Sequence, residues 1–493
     1  MTRVAVVGGG FGGLASAIIL AKNGIQVDLV DPNSEPGGKV CQKKILDCSI
    51  DCGPTVITLK KVFENLFSIA GEDLDDWVVM TKLNKIARHV WSENEILDLF
   101  SEVEESYDAI GKFAGKKEAD NFKSFCLLTE KLFQTFDASF MKKQNPGILS
   151  VTESIGLSGA KLMWQIGPFS SLWKSLNGHF SDPRLRQLFG RYATYCGSSP
   201  WLAPSTLMLI WSVEMQGVWS VKGGIIELAR ALTKLAKKVG VVFHQDFCEE
   251  ILTYKGRVSG VRLSSGQHIL GDKIIFNGDY KSLDNLFNNL QLKKNFLQNR
   301  TRSLSAVTWG LRTKTSGLHL ERHNVFFAKD YVDEFSDIFK RNQLPKTPTV
   351  YICAQDRTNN VKNLGKQERL FILVNAPPDG DQKYNSETEI KKCQSSVLAM
   401  LQRYGLKIEK EGRDWKQTTP EDFHKRFPGT GGALYGMATH GWMSPFLRPS
   451  ARSKIPGLYL SGGSIHPGPG LPMVTISGQL AAEALMEDLG LIK

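Results

Sequence analysis

No stretch of this 493-residue sequence is long and apolar enough to cross a bilayer. The longest weakly polar run, Leu202 to Val213, is 12 residues, whereas a spanning helix needs about 20. A polytopic membrane protein is excluded. Cysteine is also sparse: Cys41, Cys48, Cys52, Cys126, Cys196, Cys248, Cys353 and Cys393 include no C-x-x-C pair. Cys48 and Cys52 have no nearby His or second Cys pair to complete a zinc site, so reduced, mostly buried thiols and no metal are expected. Missing too is any block of Lys and Arg interleaved with aromatics. The 61 Lys+Arg exceed the 50 Asp+Glu by a net +11, yet they are scattered in pairs such as Lys43-Lys44, Lys116-Lys117, Lys142-Lys143 and Lys237-Lys238. Nucleic-acid binding is not expected. A mildly basic face toward an anionic membrane fits better, with ordinary solvated lysines as the plain alternative. Arg3 leads straight into a strand pattern with no signal-peptide hydrophobic region, so a cytoplasmic location is expected.

What is present is globular. Hydrophobic residues make up 42% and charged residues 23%, which excludes intrinsic disorder, and the length calls for two or more domains. The strongest local signal lies at the start. Val4-Ala5-Val6-Val7 reads as a strand buried on both faces, followed by Gly8-Gly9-Gly10-Phe11-Gly12-Gly13. Leu14, Ala17, Ile18 and Ala21 then recur at helical spacing, Gly24 closes the helix, and a second strand from Gln26 to Val30 ends on Asp31. Each feature has a physical use at a dinucleotide. Gly8 permits the tight turn, Gly10 lets backbone approach a pyrophosphate, and Gly13 lets helix and strand pack closely. The helix start offers N–H donors to phosphate, and Asp31 can accept from ribose hydroxyls.

Pro36-Gly37-Gly38-Lys39 and Ile50-Asp51-Cys52-Gly53-Pro54-Thr55 follow soon after. A simple NAD-binding unit has no need of this second glycine pair and cation. A flavin dinucleotide does, because it runs on past the first loop; Lys39 can pair with phosphate and Gly53 can bring backbone near the flavin. FAD is therefore expected rather than NAD. Two later segments read as parts of the same domain. Lys222-Gly223-Gly224 opens an amphipathic helix from Ile225 to Val239, followed by strand Val241 to Phe243, a hairpin-like stretch, and strand Lys273 to Phe276 running into Asn277-Gly278-Asp279. Near the C-terminus, strand Gly457 to Leu460, the Ser461-Gly462-Gly463 turn, and the His466 to Met473 loop lead into a helix carrying Ile476, Leu480 and Leu485. That helix can aim its N-terminus at the electron-rich end of a reduced flavin. The expected fold is α/β: a discontinuous Rossmann-like FAD-binding domain with an inserted α+β substrate domain. The boundaries are 1–85, 205–290 and 431–493 for the FAD domain, and 86–204 and 291–430 for a substrate-binding, membrane-facing domain.

These residues resemble the FAD-dependent carotenoid desaturases, the phytoene-desaturase-like branch of the amine oxidase superfamily, over nearly the whole chain. The subgroup most resembled is the 1-hydroxycarotenoid 3,4-desaturases (methoxyneurosporene or hydroxyneurosporene dehydrogenases). The segments that carry this are Pro36 to Lys39 with Ile50 to Thr58, Tyr192-Ala193-Thr194-Tyr195-Cys196-Gly197-Ser198-Ser199-Pro200, Leu207 to Ile210, His323-Asn324-Val325-Phe326-Phe327, Cys353 to Arg357, and Ser464 to Gly468 with Pro472-Met473-Val474-Thr475. Departures are modest: Asn277-Gly278-Asp279 replaces the frequent Asn-Ala-Asp, and Cys248 stands where a Val backbone often meets adenine. The resemblance implies that FAD is held by Gly8, Gly10, Phe11, Gly12, Gly13, Asp31, Gly37, Gly38, Lys39, Gly53, Pro54, Thr55, Cys248, Asp279, Gly462, Gly463, Pro472, Met473 and Val474.

It further implies removal of two hydrogens from adjacent carbons of an acyclic C40 carotenoid, placing a C3–C4 double bond in a 1-hydroxy or 1-methoxy substrate. Phytoene or neurosporene desaturation, polyene isomerisation, and a flavin-free lipid-binding escort are the alternatives; the intact glycine run, Asp31 and Gly462-Gly463 speak against losing the cofactor. Only one nucleotide fingerprint is present, so oxygen, a quinone or another carrier, not a nicotinamide, is expected to reoxidise the flavin. No catalytic base is assigned. The substrate is about as long as a bilayer core is thick, roughly 30 Å, which implies peripheral attachment to the inner membrane. Met141 to Phe180 mixes Lys142, Lys143, Lys161 and Lys174 with Ile148, Leu149, Leu162, Met163, Trp164, Ile166, Phe169, Leu172 and Trp173; it reads as an interfacial segment or as ordinary core helices. His466 reads as a structural turn hydrogen-bonding group, with orienting the substrate as the alternative, Glu214 and Arg191 as surface or structural ion-pairing groups, and Trp201, Trp211 and Trp219 as tunnel lining or core.

Overall fold

A computed structural model of the chain describes residues 2–147, 151, 153, 156, 159, 161–162, 164–167, 169–287, 301–358, 367–382, 386–409 and 415–492. One half is a five-stranded sheet in the order Leu458–Leu460, Lys273–Phe276, Arg3–Val7, Gln26–Val30, Val242–His244. All its pairings are parallel. Parallel strands need both faces covered, and the sequence supplies the cover. Val4 to Val7 are buried throughout. The helices Phe11–Lys22, Ile226–Lys238 and Leu471–Asp488 share one apolar cluster with these strands. The first helix starts at Phe11, one turn before the apolar spacing that begins at Leu14. The hairpin-like stretch is a three-stranded antiparallel sheet, Cys248–Tyr254, Arg257–Leu263 and His268–Leu270.

A second, seven-stranded sheet runs in the order Lys416–Thr418, Ser305–Thr313, Glu368–Ala376, Val350–Ala354, His323–Phe326, Lys85–Ser92, Glu95–Phe100. It is antiparallel except where His323–Phe326 lies parallel to Lys85–Ser92. Residue alternation along Val350–Ala354 shows how it is sandwiched. Val350, Ile352 and Ala354 pack with Ile390, Val397 and Leu401 of the helix Glu387–Arg403. Tyr351 and Cys353 point the other way, into the cluster of Phe122, Phe125, Phe189 and Trp211. That second face lies beneath the helices Lys116–Phe136, Pro183–Gly190 and Leu209–Met215.

Among the described residues, no helix is long and apolar enough to cross a membrane. Asp51 joins the two sheets. Its carboxylate accepts from Ile225 N at 2.7 Å, at the start of the helix Ile226–Lys238, and from Gln42 Nε2 at 2.9 Å. Its backbone exchanges two hydrogen bonds with the Gln355 side chain beyond the seven-stranded sheet.

Candidate cofactor and substrate site

In the parallel sheet the chain leaves Arg3–Val7 to one side first and returns to the other side later, so the strand order reverses at that strand. Ligands of open α/β sheets bind at the carboxyl ends of the strands flanking such a reversal. Gly8 sits there with φ +100°, and its N–H donates to Val30 O at 2.8 Å. The helix beginning at Phe11 has Gly10 as its N-cap, no side-chain cap and no acidic residue in its first turn. Phe11, Gly12 and Gly13 are buried. A buried helix start without a side-chain cap leaves N–H donors that an anion can satisfy. Close approach is built in: a Cβ on Gly13 would lie 2.0 Å from Gly8 O, and one on Gly10 would lie 2.8 Å from Asn277 Oδ1.

The C-terminal helix presents a second start of the same kind. Leu471–Asp488 has Gly470 as N-cap, Pro472 in its first turn, and neither a side-chain cap nor an acidic residue there. A Cβ on Gly12 would stand 2.9 Å from Val474 O and 3.3 Å from Gly462 N. Gly463 lies against Val474, and Met473 packs toward the substrate-side core. Gly462 N donates to Ser477 Oγ at 3.1 Å, and Asn277 Nδ2 to Ser461 Oγ at 2.9 Å. The glycine turn, the end of Lys273–Phe276 and the C-terminal loop thus meet at one point.

Two cations flank it, Arg448 buried and Lys39 partly buried. Lys39 Nζ donates to Leu434 O; burial lowers its pKa, with Asp279 opposing. Arg448 donates to Gly463 O at 3.0 Å and Thr439 Oγ1 at 3.2 Å, and burial lowers its pKa as well. Neither has a carboxylate within ion-pair distance among the described residues, which suits a site for a bound anion. Around them, Gly38 backs onto Gly10, Gly37 onto Ala229, and Gly53 onto Lys39 O, where a Cβ would sit at 2.2 Å. Asp31 is drawn in differently. Its carboxylate accepts from Gly9 N at 2.7 Å and from Asn33 N and Nδ2 at 2.9 Å each, so it pins the glycine turn and leaves about one of its roughly four acceptor positions open. Cys248 packs with Val7 and Val30 at the ends of the first two strands. Asp279 accepts from Lys281 N at 3.0 Å and caps its own turn.

Next to this crevice the seven-stranded sheet and the helices over it enclose a cavity lined by Val56, Ile86, His89, Arg191, Tyr192, Tyr195, Glu214, His323 and Tyr351 among others. Thr55 Oγ1, from the Gly53-Pro54-Thr55 loop, shares a 2.7 Å hydrogen bond with Tyr351 OH, which in turn shares one of 2.7 Å with His323 Nδ1. Tyr192 OH donates to Glu214 Oε2 at 2.7 Å, and burial raises the Glu214 pKa. Burial pushes His323 and His89 down to about 3 each, so both imidazoles are neutral.

The chain matches the family described as flavin containing amine oxidoreductase over residues 11–486. The chain belongs to this family. Among curated proteins it is 46% identical to hydroxyneurosporene desaturase of Rubrivivax gelatinosus, covering 99% of this chain and 94% of that one. It is 38% identical to hydroxyneurosporene desaturase of Cereibacter sphaeroides, over 99% and 98%. It is 29% identical to 4,4'-diaponeurosporene oxygenase of Staphylococcus haemolyticus, over 98% and 97%. Among solved structures, putrescine oxidase bound to putrescine shares the fold at TM-score 0.63 and 11% identity, covering 99% of each chain. An oxidoreductase from Methanosarcina mazei does so at 0.62 and 13%, covering 98% of this chain and all of that one. The protein is an FAD-dependent oxidoreductase.

Several expectations for this flavoenzyme change. Glu214 and Arg191 are not surface ion-pairing groups: Glu214 is buried, and among the described residues neither forms an ion pair. His466 makes a long-range bond rather than the expected turn hydrogen bond, donating from Nε2 to Phe140 O at 3.0 Å, with its ring edge-on to Phe140. Trp211 is core, packed on Phe122 and Phe189. Trp201 packs tilted against Trp173 and edge-on to Phe335, and Trp219 pairs in a short strand under Lys60. In the Met141–Phe180 segment Leu162, Ile166 and Leu172 are buried while Trp164 and Phe169 are exposed; Ile148, Leu149 and Met163 lie outside the described residues. Asn277, Arg448, Ser477 and Gly478 are the residues that sequence reasoning missed at the crevice. Only Asn277 carried a signal, as the residue directly after a buried strand.

Proposed function

We propose that the enzyme desaturates an acyclic carotenoid, placing a C3–C4 double bond in a 1-hydroxy or 1-methoxy substrate. The observation that carries the reading is 46% identity over 491 residues to a hydroxyneurosporene desaturase. FAD would lie with its pyrophosphate across the starts of the helices Phe11–Lys22 and Leu471–Asp488, with Lys39 and Arg448 balancing its charge. Asp31 would hold the ribose, Cys248 would meet adenine, and Asp279 would face the Lys39 side. Gly37, Gly38, Gly53, Pro54, Thr55, Gly462, Gly463, Met473 and Val474 would form the walls beside the flavin. This assigns 1–85, 205–290 and 431–493 to the cofactor and 86–204 and 291–430 to the substrate. When bound, FAD supplies the two-electron acceptor for a hydride and proton leaving adjacent carbons. The chain's part is to orient the polyene and keep the site dry.

The substrate is taken from a membrane at the cytoplasmic face. Trp164 is 82% exposed and Phe169 74% exposed. The Phe169 ring meets Trp442 edge-on at 5.0 Å, and Lys161 and Lys174 are exposed nearby in sequence. Such a mixture suits an anionic lipid interface. Oxygen, a quinone or another carrier would reoxidise the flavin.

Expression in cells accumulating 1-hydroxyneurosporene, followed by pigment chromatography, tests the reaction. A product with a new C3–C4 double bond is expected; unchanged pigment beside a flavin-loaded protein would reject the assignment.

A further inference from the structure

The cavity beside the flavin crevice is the wrong kind of surface for the middle of a polyene. Glu214, Tyr192 and His323 are each at most 6% exposed, and all three line it together with Arg191, Tyr195 and Tyr351. Hydrocarbon laid against them would desolvate polar groups without replacing their partners. One of these groups already lacks a partner: His323 Nε2 is buried and accepts or donates no hydrogen bond among the described residues. Its other nitrogen is committed to Tyr351 OH.

Resting on the carotenoid reading above, we propose that this cavity is a recognition pocket for the terminal hydroxyl of the substrate, with His323 Nε2 and the Arg191 guanidinium as its hydrogen-bonding partners. The chemistry of the imidazole favours a hydroxyl over other end groups. If Nδ1 carries the proton, Nε2 is an acceptor and the hydroxyl donates to it. If Tyr351 donates to Nδ1, Nε2 carries the proton and the hydroxyl accepts. A hydroxyl satisfies either tautomer, a methoxy group only the second, and a hydrocarbon end neither. Arg191 adds a fixed donor. Its guanidinium carbon lies 5.8 Å from the Tyr195 ring centre and 5.5 Å from that of Tyr351, and it forms no ion pair among the described residues that would withdraw it. Glu214 holds Tyr192 in place by accepting from its hydroxyl at 2.7 Å; it is a positioning residue.

Placement agrees with the numbering of the reaction. In a 1-hydroxy substrate the oxygen-bearing carbon is only two bonds from the nearer carbon of the new double bond, so a hydroxyl pocket must adjoin the flavin. Val56 lines the cavity, and its neighbour Thr55 is hydrogen-bonded to Tyr351, the partner of His323. The loop expected to flank the flavin and the proposed hydroxyl site therefore share one hydrogen-bonded chain, Thr55–Tyr351–His323.

The test uses flavin-loaded enzyme and two probes in liposomes of phosphatidylcholine and phosphatidylglycerol: 1-hydroxyneurosporene, and 1,2-dihydroneurosporene, which has hydrogen in place of the hydroxyl. Sites built to hydrogen-bond a hydroxyl can reject analogues lacking it by factors far above about 100, so the wild-type kcat/KM should favour the hydroxylated probe by about 100-fold or more. His323→Leu should cut that preference to about tenfold or less, and His323→Gln, whose amide both donates and accepts, should recover part of it. Arg191→Gln should lower the same ratio. Should His323→Leu fail to retain flavin, His323→Gln and Arg191→Gln read the ratio in its place. Variants that keep wild-type flavin absorbance and the full preference overturn the pocket alone. A wild-type enzyme with no preference overturns the 1-hydroxy reading and the pocket with it.

Discussion

Gly478 sits inside the helix Leu471–Asp488, where helix propensity alone predicts that Gly478→Ala stabilises by about 0.8–1.0 kcal/mol. The packing predicts the opposite sign. A Cβ there would lie 2.1 Å from Gly12 O and 2.8 Å from Gly12 C. The obstacle is backbone, in the first turn of the helix whose free N–H groups face the proposed pyrophosphate, so the added methyl must push the two helix starts apart. Overpacking of this kind costs about 1–3 kcal/mol. If that cost falls on the crevice, FAD affinity drops by about 5- to 150-fold. The assay is flavin occupancy of the purified variant by absorbance, then titration with added FAD followed by flavin fluorescence. Gly478→Ala with wild-type occupancy and a raised thermal midpoint would show that propensity wins and that the helix starts do not jointly grip the cofactor.

Lowering the pH from 7 to 5 should lower the thermal midpoint. His89 and His323 are held at about 3 by burial, so the unfolded chain binds protons below about 6.5 that the folded chain refuses, a loss of about 2 kcal/mol per histidine by pH 5. His89→Gln should flatten the slope measured by calorimetry; an unchanged slope would mean that the ring is not held neutral. Trp164→Glu with Phe169→Glu should reduce flotation with anionic liposomes several-fold, and unchanged flotation would move the membrane face elsewhere. NADH should not bleach the flavin absorbance of the enzyme in an anaerobic cuvette; rapid bleaching would reveal a nicotinamide site.

The cofactor half was legible because its signal is local. Strand, glycine turn, helix and Asp31 follow one another within one unit, and one contact of the turn, Gly13 with Gly8 O, is itself local. Contacts made across the chain left no such trace. Gly12 against Gly478, or Arg448 against Gly463 O, depends on how the last helix packs, and a lone glycine in a helix reads only as a weak spot. The cavity was the least legible part. Arg191 ends one helix, Glu214 lies in another, and His323 and Tyr351 face each other across neighbouring strands in the register His323 to Cys353. As isolated letters each had an ordinary explanation, and only the pairing of strands set their side chains on one face. Asp31 was expected at the ribose; what the structure shows is its carboxylate accepting from Gly9 N and Asn33 N.

The parallel sheet has its first-made strand in the middle and its last-made strand, Leu458–Leu460, at one edge. During synthesis the glycine turn therefore emerges early and waits. The helix Phe11–Lys22 lacks its partner Leu471–Asp488 until synthesis has reached that segment, and the part of its apolar surface that this partner covers stays open for that interval. On the proposed placement of the pyrophosphate, cofactor capture must wait for the later helix, and a nascent chain at this stage is expected to be a client for a chaperone.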